Sequence, residues 1–325
     1  MGRATVNRKV QIGLETTAGN AAVANRLLPS LSIDLGPKFT SKEYRAAGFK
    51  YNTTSRIHQA WAEGPVSGPL DYEQLYYALY SLIGAPTTTT PGGGSISRQH
   101  VFSPNPNSAD AFKTLTVEQG DADAAEIAAY CVIRELGFEW GLDDVTMTGS
   151  AIARLPTVGS LTATPTAVPQ VPVSAREIDV FIDPTTYGNI GTTKVTDALS
   201  SSFKIGNKFV PKWVLNTANA SFKDVTEVPV DLDLSFITEH NAQSRALFAT
   251  IANNPIQFVR VLATGPIIEG AIPYKIQVDV ACHIAGVEQP DVEGVWGYEY
   301  SAKPFSDVTM ARPFQITLVN TRTAF

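Results

Sequence analysis

The segment that decides the fold is Val228–Ile284, which begins VPVDLDLSF (228–236) and ends YKIQVDVACHI (274–284). In both pieces apolar and polar residues alternate, which is the pattern of a strand with one buried side and one solvent-facing side. Between them, Asn241 is a typical helix N-cap, and Asn254-Pro255 is expected to end that helix. A further apolar strand is predicted at 256–264. The segment therefore predicts a strand, a helix and then antiparallel strands.

The same order of elements is predicted earlier in the chain. Asp71 is a typical N-cap, Gln74 stands at the third helical position of a capping box, and apolar residues then recur at helical spacing as far as Ile83. Asp71 and Asn241 are 170 residues apart (241 − 71). Each half of the chain therefore predicts strands, one helix and then more strands.

A second pair of positions supports this internal repeat. Cys131 and Cys282 each lie inside a strand pattern and are 151 residues apart (282 − 131). The difference from the helix-cap offset is close to the length of a Thr/Gly/Pro-rich segment, Ala85–Ser108, which is expected to be an exposed loop. The predicted fold is therefore mainly β, with a unit of strands and one helix duplicated in the chain.

These patterns divide the chain into four parts: an N-terminal arm (1–26), a first β domain (27–155), a Pro/Thr/Ala-rich linker (156–173) and a second β domain (174–325). The arm is rich in Ala, Thr and Asn, which is typical of a disordered tail or of a segment that orders against a neighbouring subunit. Within the first domain, Gly64-Pro65 and Gly68-Pro69 predict a loop.

The composition excludes several classes of protein. Only 17% of the 325 residues are charged, so we expect partners to cover much of the surface, and the net charge of −6 argues against a nucleic-acid-binding surface. No apolar run reaches the length of a membrane span. With two cysteines, the chain offers no disulfide framework, and both are expected to be buried thiols.

No residue pattern in the sequence predicts a catalytic, metal-binding or cofactor-binding site. The four histidines do not occur in zinc-binding spacing, and there is no nucleophile elbow, P-loop or dinucleotide-binding glycine motif. The close carboxylates Asp231 and Asp233 lack further ligands nearby in sequence and are expected to be solvated charges. We therefore predict no catalytic residue, no metal site, no cofactor and no enzymatic activity.

Seven stretches follow one another along the chain: QIGLETTAGNAAVANRLLPSLSID, FKYNTTSRIHQAWAEGPVSGPLDYEQLYYALYSLIG, LTVEQGDADAAEIAAYCVIRELGFEW, VTMTGSAIAR, VDLDLSFITE, FVRVLATGP and YKIQVDVACHI. In this order they resemble the tail tube proteins of bacteriophages with long non-contractile tails, the siphoviruses. The resemblance implies a structural virion protein built from β-sandwich or barrel domains, each flanked by a helix. In that family six domains close a ring, each domain gives four strands to a continuous inner β-barrel, and stacked rings form the channel for DNA ejection.

Applied to this chain, the resemblance implies self-assembly. With two domains per chain, three chains are expected to close a ring of pseudo-sixfold symmetry. If the repeat is absent, six chains are expected, with the extra half outside the tube. The implied partners are further copies of the chain, a tape measure protein, and tail-tip and terminator proteins. DNA is expected to pass through the lumen without specific binding, with no membrane involved. The implied location is the virion tail, assembled in the host cytoplasm.

The resemblance also selects candidate residues. A lumen through which DNA slides must be poor in Lys and Arg, and the candidates for its lining are Asp231, Asp233, Lys275, Gln277 and Asp279. In the family, the N-terminal arm and a long loop between early strands bridge adjacent rings. On this sequence, these are the arm and roughly Gly36–Ser55, and the candidate inter-ring residues are Arg8, Lys9, Lys38, Lys42 and Arg45.

Two other functions remain open at this point. One is a different virion β-protein, such as a capsid decoration or tail-tip component, which binds a preformed lattice and does not polymerise by itself. The other is a carbohydrate- or receptor-binding module, which needs exposed aromatic residues on loops.

Overall fold

The structure, a computed structural model, describes residues 7–121, 123–184, 186–215, 221–251, 256–323 and 325 and is mainly β. The helices in these ranges are α1 (Leu75–Leu82) and α2 (Ala242–Ile251), with short 3-10 turns at Pro91–Gly93, Ala175–Glu177 and Tyr187–Asn189. The strands are β1 (Lys9–Leu14), β2 (Arg26–Leu27), β3 (Ser32–Ile33), β4 (Gly36–Tyr44), β5 (Thr54–Pro69), β6 (Thr87–Thr89), β7 (Arg98–Phe102), β8 (Leu115–Gly120), β9 (Ala125–Trp140), β10 (Val145–Arg154), β11 (Thr157–Gly159), β12 (Thr166–Ala167), β13 (Ile178–Pro184), β14 (Lys194–Val195), β15 (Ala198–Ile205), β16 (Phe209–Lys212), β17 (Asp224–Glu227), β18 (Leu232–Glu239), β19 (Ile256–Glu269), β20 (Ile272–Glu288), β21 (Asp291–Val292), β22 (Val295–Pro304) and β23 (Phe314–Asn320).

The two halves have the same strand order. In the first half the order across the sheet is β1, β8, β9, β10, β5, β4, and in the second half it is β13, β19, β20, β22, β18, β15. The strands of each pair also hold the same place along the chain, with α1 and α2 between corresponding strands. The repeat predicted from sequence pattern is therefore present in the topology.

The register of the strands gives the same two offsets as the sequence. The pairing of β9 with β10 skips Arg134, and the pairing of β20 with β22 skips Ala285, so equivalent β-bulges lie 151 residues apart (285 − 134). In the strands before the helices, Gly64 of β5 pairs with Ala151 of β10, and Leu234 of β18 pairs with Ala302 of β22. Ala151 and Ala302 are equivalent at the offset of 151, so Gly64 and Leu234 are equivalent at an offset of 170 (234 − 64). The two repeats thus correspond residue by residue in these strands.

Each repeat is a sandwich because one long strand, β9 in the first and β20 in the second, pairs with different strands at its two ends. The N-terminal part of β9 pairs with β8, and its C-terminal part pairs with β10. Buried side chains such as Ile12, Val117, Leu136 and Phe138 fill the space between the layers. The Asp71 carboxylate accepts the backbone N–H groups of Glu73 and Gln74, at 2.8 and 3.0 Å, in the turn that leads into α1. The N-cap of α1 is Gln74, three residues after the predicted cap, and its side chain makes no capping bond.

The first half also supplies strands to the second. The segment Ala85–Ser108, predicted as an exposed loop, contains β6 and β7, and β7 pairs with β23. Its His100 and Phe102 are buried, because they face the core between the halves. The exposed-loop prediction is therefore wrong for the β7 part of this segment.

The linker predicted at 156–173 is extended but bound along its length. The Val171 N–H donates to the Asp71 carboxylate at 2.7 Å, and the Val173 N–H donates to the Leu70 carbonyl at 2.8 Å. Val168 is also buried. The linker therefore holds the start of the second repeat against the first.

The N-terminal arm predicted at 1–26 is in part a strand of the sandwich. Lys9–Leu14 forms β1, which pairs with β8 along its whole length, and Val10 and Ile12 are buried. Residues 1–6 of the predicted arm lie outside the described residues. The described part of the arm is thus folded within its own chain.

One contact between the halves predicts a pH dependence. The Glu269 carboxylate accepts the backbone N–H groups of Ser95, Ile96 and Ser97 and both serine hydroxyls, at 2.6 to 3.2 Å. These hydrogen bonds, first those from Ser97, lower the pKa of Glu269 to about 2. The contribution of these hydrogen bonds to stability is therefore complete above the ordinary glutamate pKa and is lost as the pH falls through about 2.

We expect the amides of Ser95–Ser97 to be protected from hydrogen exchange at neutral pH and to lose that protection between about pH 4.5 and 2, after correction for the intrinsic pH dependence of exchange. In the E269Q variant the protection should be weaker and independent of pH in this range. A wild-type protection factor that does not change down to pH 2 would contradict this assignment.

Candidate functional surfaces

A continuous sheet runs through both repeats. Ser201–Ile205 of β15 pairs antiparallel with Leu136–Trp140 of β9, on the side of β9 away from β10. The resulting order is β4, β5, β10, the C-terminal half of β9, β15, β18, β22 and the C-terminal half of β20. Among the described residues, this eight-strand sheet stays open at both ends.

One side of this sheet is polar, and we call it the polar face. Its residues lie opposite one another in rows that cross the junction between the repeats, because residues paired across antiparallel strands point to the same side. One row is Pro69, Thr146, Glu139, Ser202, Ser235, Ser301 and Gly286, and a second is Ser67, Thr148, Gly137, Lys204 and Asp233. The other members include Glu63, Pro65, Arg134, Glu135, Ser150, Glu288, Glu299, Lys303 and, opposite Trp61, Lys38 and Arg154. The opposite side of the sheet is the core.

Three of the five cations of the polar face are paired with carboxylates, and Arg154 donates to backbone carbonyls. Lys204 Nζ lies 2.6 Å from Glu135, Lys303 forms an ion pair with Asp233, and Arg134 lies 3.8 Å from Glu63. The hydrogen bond that Lys204 donates to Glu135 raises the pKa of Lys204, and the one that Lys303 donates to Asp233 raises the pKa of Lys303. With Glu139, Glu288 and Glu299, the face has six carboxylates and five cations, a formal charge of −1.

The structure brings two of the five candidate lumen residues to this surface. Asp233 belongs to the polar face, and Asp231 is exposed just before β18, on the same side by alternation. Lys275, Gln277 and Asp279 lie in the N-terminal half of β20, between β19 and β23, which is a different part of the fold.

Asp279 has an internal role. It is fully buried, and its carboxylate accepts hydrogen bonds from Arg260 at 2.6 and 2.9 Å, from Gln277 at 2.7 Å and from the Tyr187 hydroxyl at 3.1 Å. Burial, together with the nearby Asp279 charge, raises the pKa of Tyr187 to about 12. Burial also lowers the pKa of Lys275. These contacts explain the position of Asp279 without a lumen, and we remove it from the proposed lining.

The hairpin formed by β4 and β5 extends from the body of the chain. Every residue from 37 to 58 is exposed, including Lys38, Lys42 and Arg45, three of the candidate inter-ring residues. The same stretch exposes five large apolar side chains: Phe39, Tyr44, Phe49, Tyr51 and Ile57, between 43% and 74% accessible. A two-stranded hairpin with so much exposed apolar surface is typical of a segment that binds a partner.

The other two inter-ring candidates lie at the base of the sandwich. Arg8 donates to Asp34 at 2.6 Å and to Gln119 at 3.0 Å, and Lys9 is the exposed first residue of β1. The hydrogen bond from Arg8 lowers the pKa of the Asp34 carboxyl. Arg8 and Lys9 therefore do not lie on the extended hairpin.

Sequence reasoning missed most of the polar face. Glu135, Glu139 and Glu299 were not candidates, although ELGFEW (135–140) alternates as a strand does. That alternation identifies one solvent-facing side, but it does not show that β15 extends the same side into the second repeat. The missing information was the pairing between β9 and β15.

The described residues contain no group of three or more His, Cys, Asp or Glu side chains that could hold a metal ion. Cys131 and Cys282 are buried free thiols, and burial raises the pKa of Cys282 to about 12 and that of Cys131 as well. Within the described ranges, neither helix has the length and apolar character needed to cross a membrane.

A family model described as "Phage tail tube protein" matches residues 5–291 of this chain. A search of curated proteins found no match.

Proposed function

The chain belongs to the phage tail tube protein family, and on that premise we propose that three copies close one ring of the tube with pseudo-sixfold symmetry. The chain is a structural subunit of the major tail tube and a component of the virion tail. The family is a structural one, and we assign the chain no enzymatic activity.

The observation that carries this proposal is the pairing of β15 with β9. This pairing joins the second repeat to the first. The counterparts of β9 and β15 in the repeat are the C-terminal half of β20 and the β3–β4 segment. Among the described strands, each of these two has one edge without a strand partner, so the sheet of one chain has two complementary free edges. Head-to-tail contacts of this type close into rings when the rotation allows it. Three chains with eight strands each would form a barrel of twenty-four.

A barrel of that size leaves a channel. Strands spaced about 4.8 Å apart give twenty-four strands a circumference of about 115 Å, so the backbone cylinder is at least about 37 Å across and wider when the strands tilt. Smaller barrels of 16–18 strands already enclose an aqueous channel. The open interior required for DNA passage follows from the strand number.

We assign the polar face to the lumen. Its opposite side is packed against the second sheet layer and the helices, which then lie outside the barrel. Half of the named members of the face are uncharged, its carboxylates outnumber its cations, and three of its five cations lie beside carboxylates. DNA binding by proteins depends on unneutralised Lys and Arg contacting phosphates. A face of this composition lets DNA pass without strong attachment.

The finer parts of the proposal follow the family. Rings stack through the β4–β5 hairpin, assembly takes place in the host cytoplasm, and the tube meets a tape measure protein, tail-tip proteins and a terminator. The tail is of the long non-contractile, siphovirus type. A capsid decoration or tail-tip role is less well supported, because it does not explain why the chain ends in two complementary free sheet edges.

Electron microscopy of the purified protein or of sheared tails tests this proposal. Top views of stacked rings should show a central hole, three copies of the chain and six similar outer lobes. Six chains per ring would overturn the trimer, and a monomer that never forms rings would overturn the tube arrangement.

A second test is charge reversal on the polar face. In the D231K/D233K variant we expect normal rings, and DNA ejection slowed about tenfold at roughly 50 mM salt with recovery at roughly 200 mM, because phosphate attraction is screened by salt. The measurement is the rate of DNA release from assembled virions. As a control, D123K/D143K makes the same charge change at exposed sites off the polar face and should leave the rate unchanged. Equal rates in both variants would remove Asp231 and Asp233 from the lumen.

A further inference from the structure

The free edge at β3–β4 is covered by a side chain of the same chain. The Leu35 N–H donates to the Gln119 amide oxygen at 3.0 Å, and the Gln119 amide nitrogen donates to the Leu35 carbonyl at 2.6 Å. Gln119 is 4% exposed and is held by Arg8 and Glu126. Its amide thus makes the two hydrogen bonds that a residue of a neighbouring strand would make.

The second repeat has no such cover at the equivalent edge. The partner of Gln119 in β9 is Glu126, the equivalent of Glu126 at an offset of 151 is Gln277, and Gln277 pairs with Leu262. Leu262 has no polar side-chain atom. Gly36 pairs with Glu63, and Lys204 pairs with Asp233, the equivalent of Glu63, so β4 and β15 correspond at an offset of 168 (204 − 36). The residue equivalent to Leu35 is therefore Phe203, which is paired with Phe138 of β9. The amide cover is therefore found at the edge that has no strand partner within its own chain.

The repeat predicts which segment takes that edge in the ring. Residues 201–205 pair with 136–140 within the chain. The offsets of 168 (203 − 35) and 151 convert this pairing into residues 33–37 of one copy against residues 287–291 of the next. We infer that Leu35 pairs with Gln289 of a second copy and that Gln119 is a place-holder which leaves Leu35 when the ring closes. This inference rests on the proposed ring.

The receiving edge has the geometry that this register requires. The Gly297 N–H donates to the Pro290 carbonyl at 3.0 Å, so Pro290 faces β22, and the backbone groups of its neighbour Gln289 face the opposite, open side. The missing N–H of Pro290 therefore does not interrupt the new pairing. Among the described strands, only β22 pairs with residues 286–288.

The place-holder role of Gln119 predicts how the equilibrium between free chains and closed rings responds to its removal. Its two bonds to Leu35 exist only in the free chain, because in the ring Leu35 bonds to the neighbouring copy. Removing the amide therefore destabilises the free chain and leaves the ring contact intact, which shifts the equilibrium toward the ring.

The register is tested by cysteine cross-linking. Gly36 and Glu288 are opposite in the inferred contact, and their equivalents within the chain are Lys204 and Gly137, which pair directly. Under oxidation, G36C/E288C should give a ladder of disulfide-linked chains ending at three, whereas the control G137C/K204C should give only monomers with an internal disulfide. Rings that form normally while G36C/E288C shows no cross-link would overturn the register and leave the ring itself in place.

The place-holder is tested by Q119A. We expect the unfolding temperature of the free chain to fall and the protein concentration needed for ring formation to fall about fivefold, the ratio given by about one net hydrogen bond. The control Q170A removes an exposed glutamine bonded to Ser30 and should change neither quantity. A concentration requirement that stays the same or rises in Q119A, with rings still forming, would overturn the place-holder. Wild-type protein that forms no rings would instead overturn the proposed function.

Discussion

Removing the tip of the β4–β5 hairpin is expected to leave rings intact and to abolish their stacking into tubes. The hairpin contributes little to the core, since residues 37–58 are all exposed. Ser41 lies opposite Ile57, so an Asn-Gly turn placed between them shortens the hairpin without changing the register below it. The strands that we assign to the ring lie beyond the deleted part.

The size of the effect follows from apolar surface and charge. Phe49 and Tyr51 are 62% and 74% exposed, and burying each against a neighbouring ring would contribute about 2 kcal/mol. Residues 37–58 include five basic residues and one acidic residue, a charge of +4, whereas the whole chain has −6 and the remainder therefore −10. A basic, aromatic hairpin thus fits the acidic surface of another copy.

Negative-stain microscopy and sedimentation measure this outcome. The shortened chain should give single rings and no long species. In F49S/Y51S, which keeps the length and charge of the hairpin, stacking should also be lost. In K42Q/K50Q, which keeps the aromatic residues, stacking should persist but require more protein and depend less on salt. Tubes of normal length from the shortened chain would show that the rings are held together elsewhere.

The repeat could be predicted from sequence because local signals mark both copies. Asn241 directly precedes α2 and accepts the Ser244 N–H, and Asp71 accepts two backbone N–H groups in the turn that leads into α1. Alternation identified β18 and β20 for the same reason, because one side of each strand packs on a core. Two pairs of positions, at offsets of 170 and 151, were enough to align the halves.

The predicted loop at 64–69 shows a limit of local reasoning. Gly64-Pro65 and Gly68-Pro69 lie within the continuous strand β5. A Cβ on Gly64 would come within 1.7 Å of the Asp34 carbonyl oxygen, and one on Gly68 within 2.3 Å of the Ser30 carbonyl oxygen. These glycines permit the close approach of the neighbouring chain segment. Turn residues signal a turn only when no other backbone lies against them, and sequence alone does not show this.

The candidate lumen residues show a second limit. Alternation along 274–284 predicted that Lys275, Gln277 and Asp279 share one side of a strand, and they do lie in β20. It did not show that β19 and β23 pair with that part of β20 or that Arg260 bonds to Asp279. Which side of a strand meets solvent depends on partners that are distant in sequence.

Replacing Lys208 by Met is expected to lower the free energy of unfolding by about 3 to 4 kcal/mol. The Lys208 side chain is 4% exposed, and its ammonium group forms an ion pair with Asp110, whose side chain is 2% exposed. It also donates to the Leu82 carbonyl at 2.9 Å, at the C-terminal end of α1, where a cation is favourable. Removing one partner of a buried ion pair costs this much because the remaining charge is left uncompensated.

The loss of unfolding free energy should depend on which partner of the Lys208–Asp110 ion pair is replaced. After K208M, Asp110 remains buried with Glu227 nearby, so two carboxylates lose their cation. After D110A, Lys208 keeps Glu227 at 3.6 Å and the Leu82 carbonyl, so we expect a smaller loss of about 2 kcal/mol. The double variant K208M/D110A leaves neither charge of the closest pair and should lose less than the two single losses together. Urea unfolding followed by tryptophan fluorescence measures all three.

This ion pair also bears on ring assembly. Lys208 follows β15, and its backbone N–H donates to the carbonyl of Arg134 at 2.8 Å, next to the β9–β15 pairing that joins the repeats. Loosening Lys208 should therefore weaken the junction from which we deduced the ring. We expect K208M to assemble poorly near its lowered unfolding temperature and normally well below it. If K208M loses less than about 1 kcal/mol, or if D110A loses more than K208M, the buried pair does not hold the repeats together.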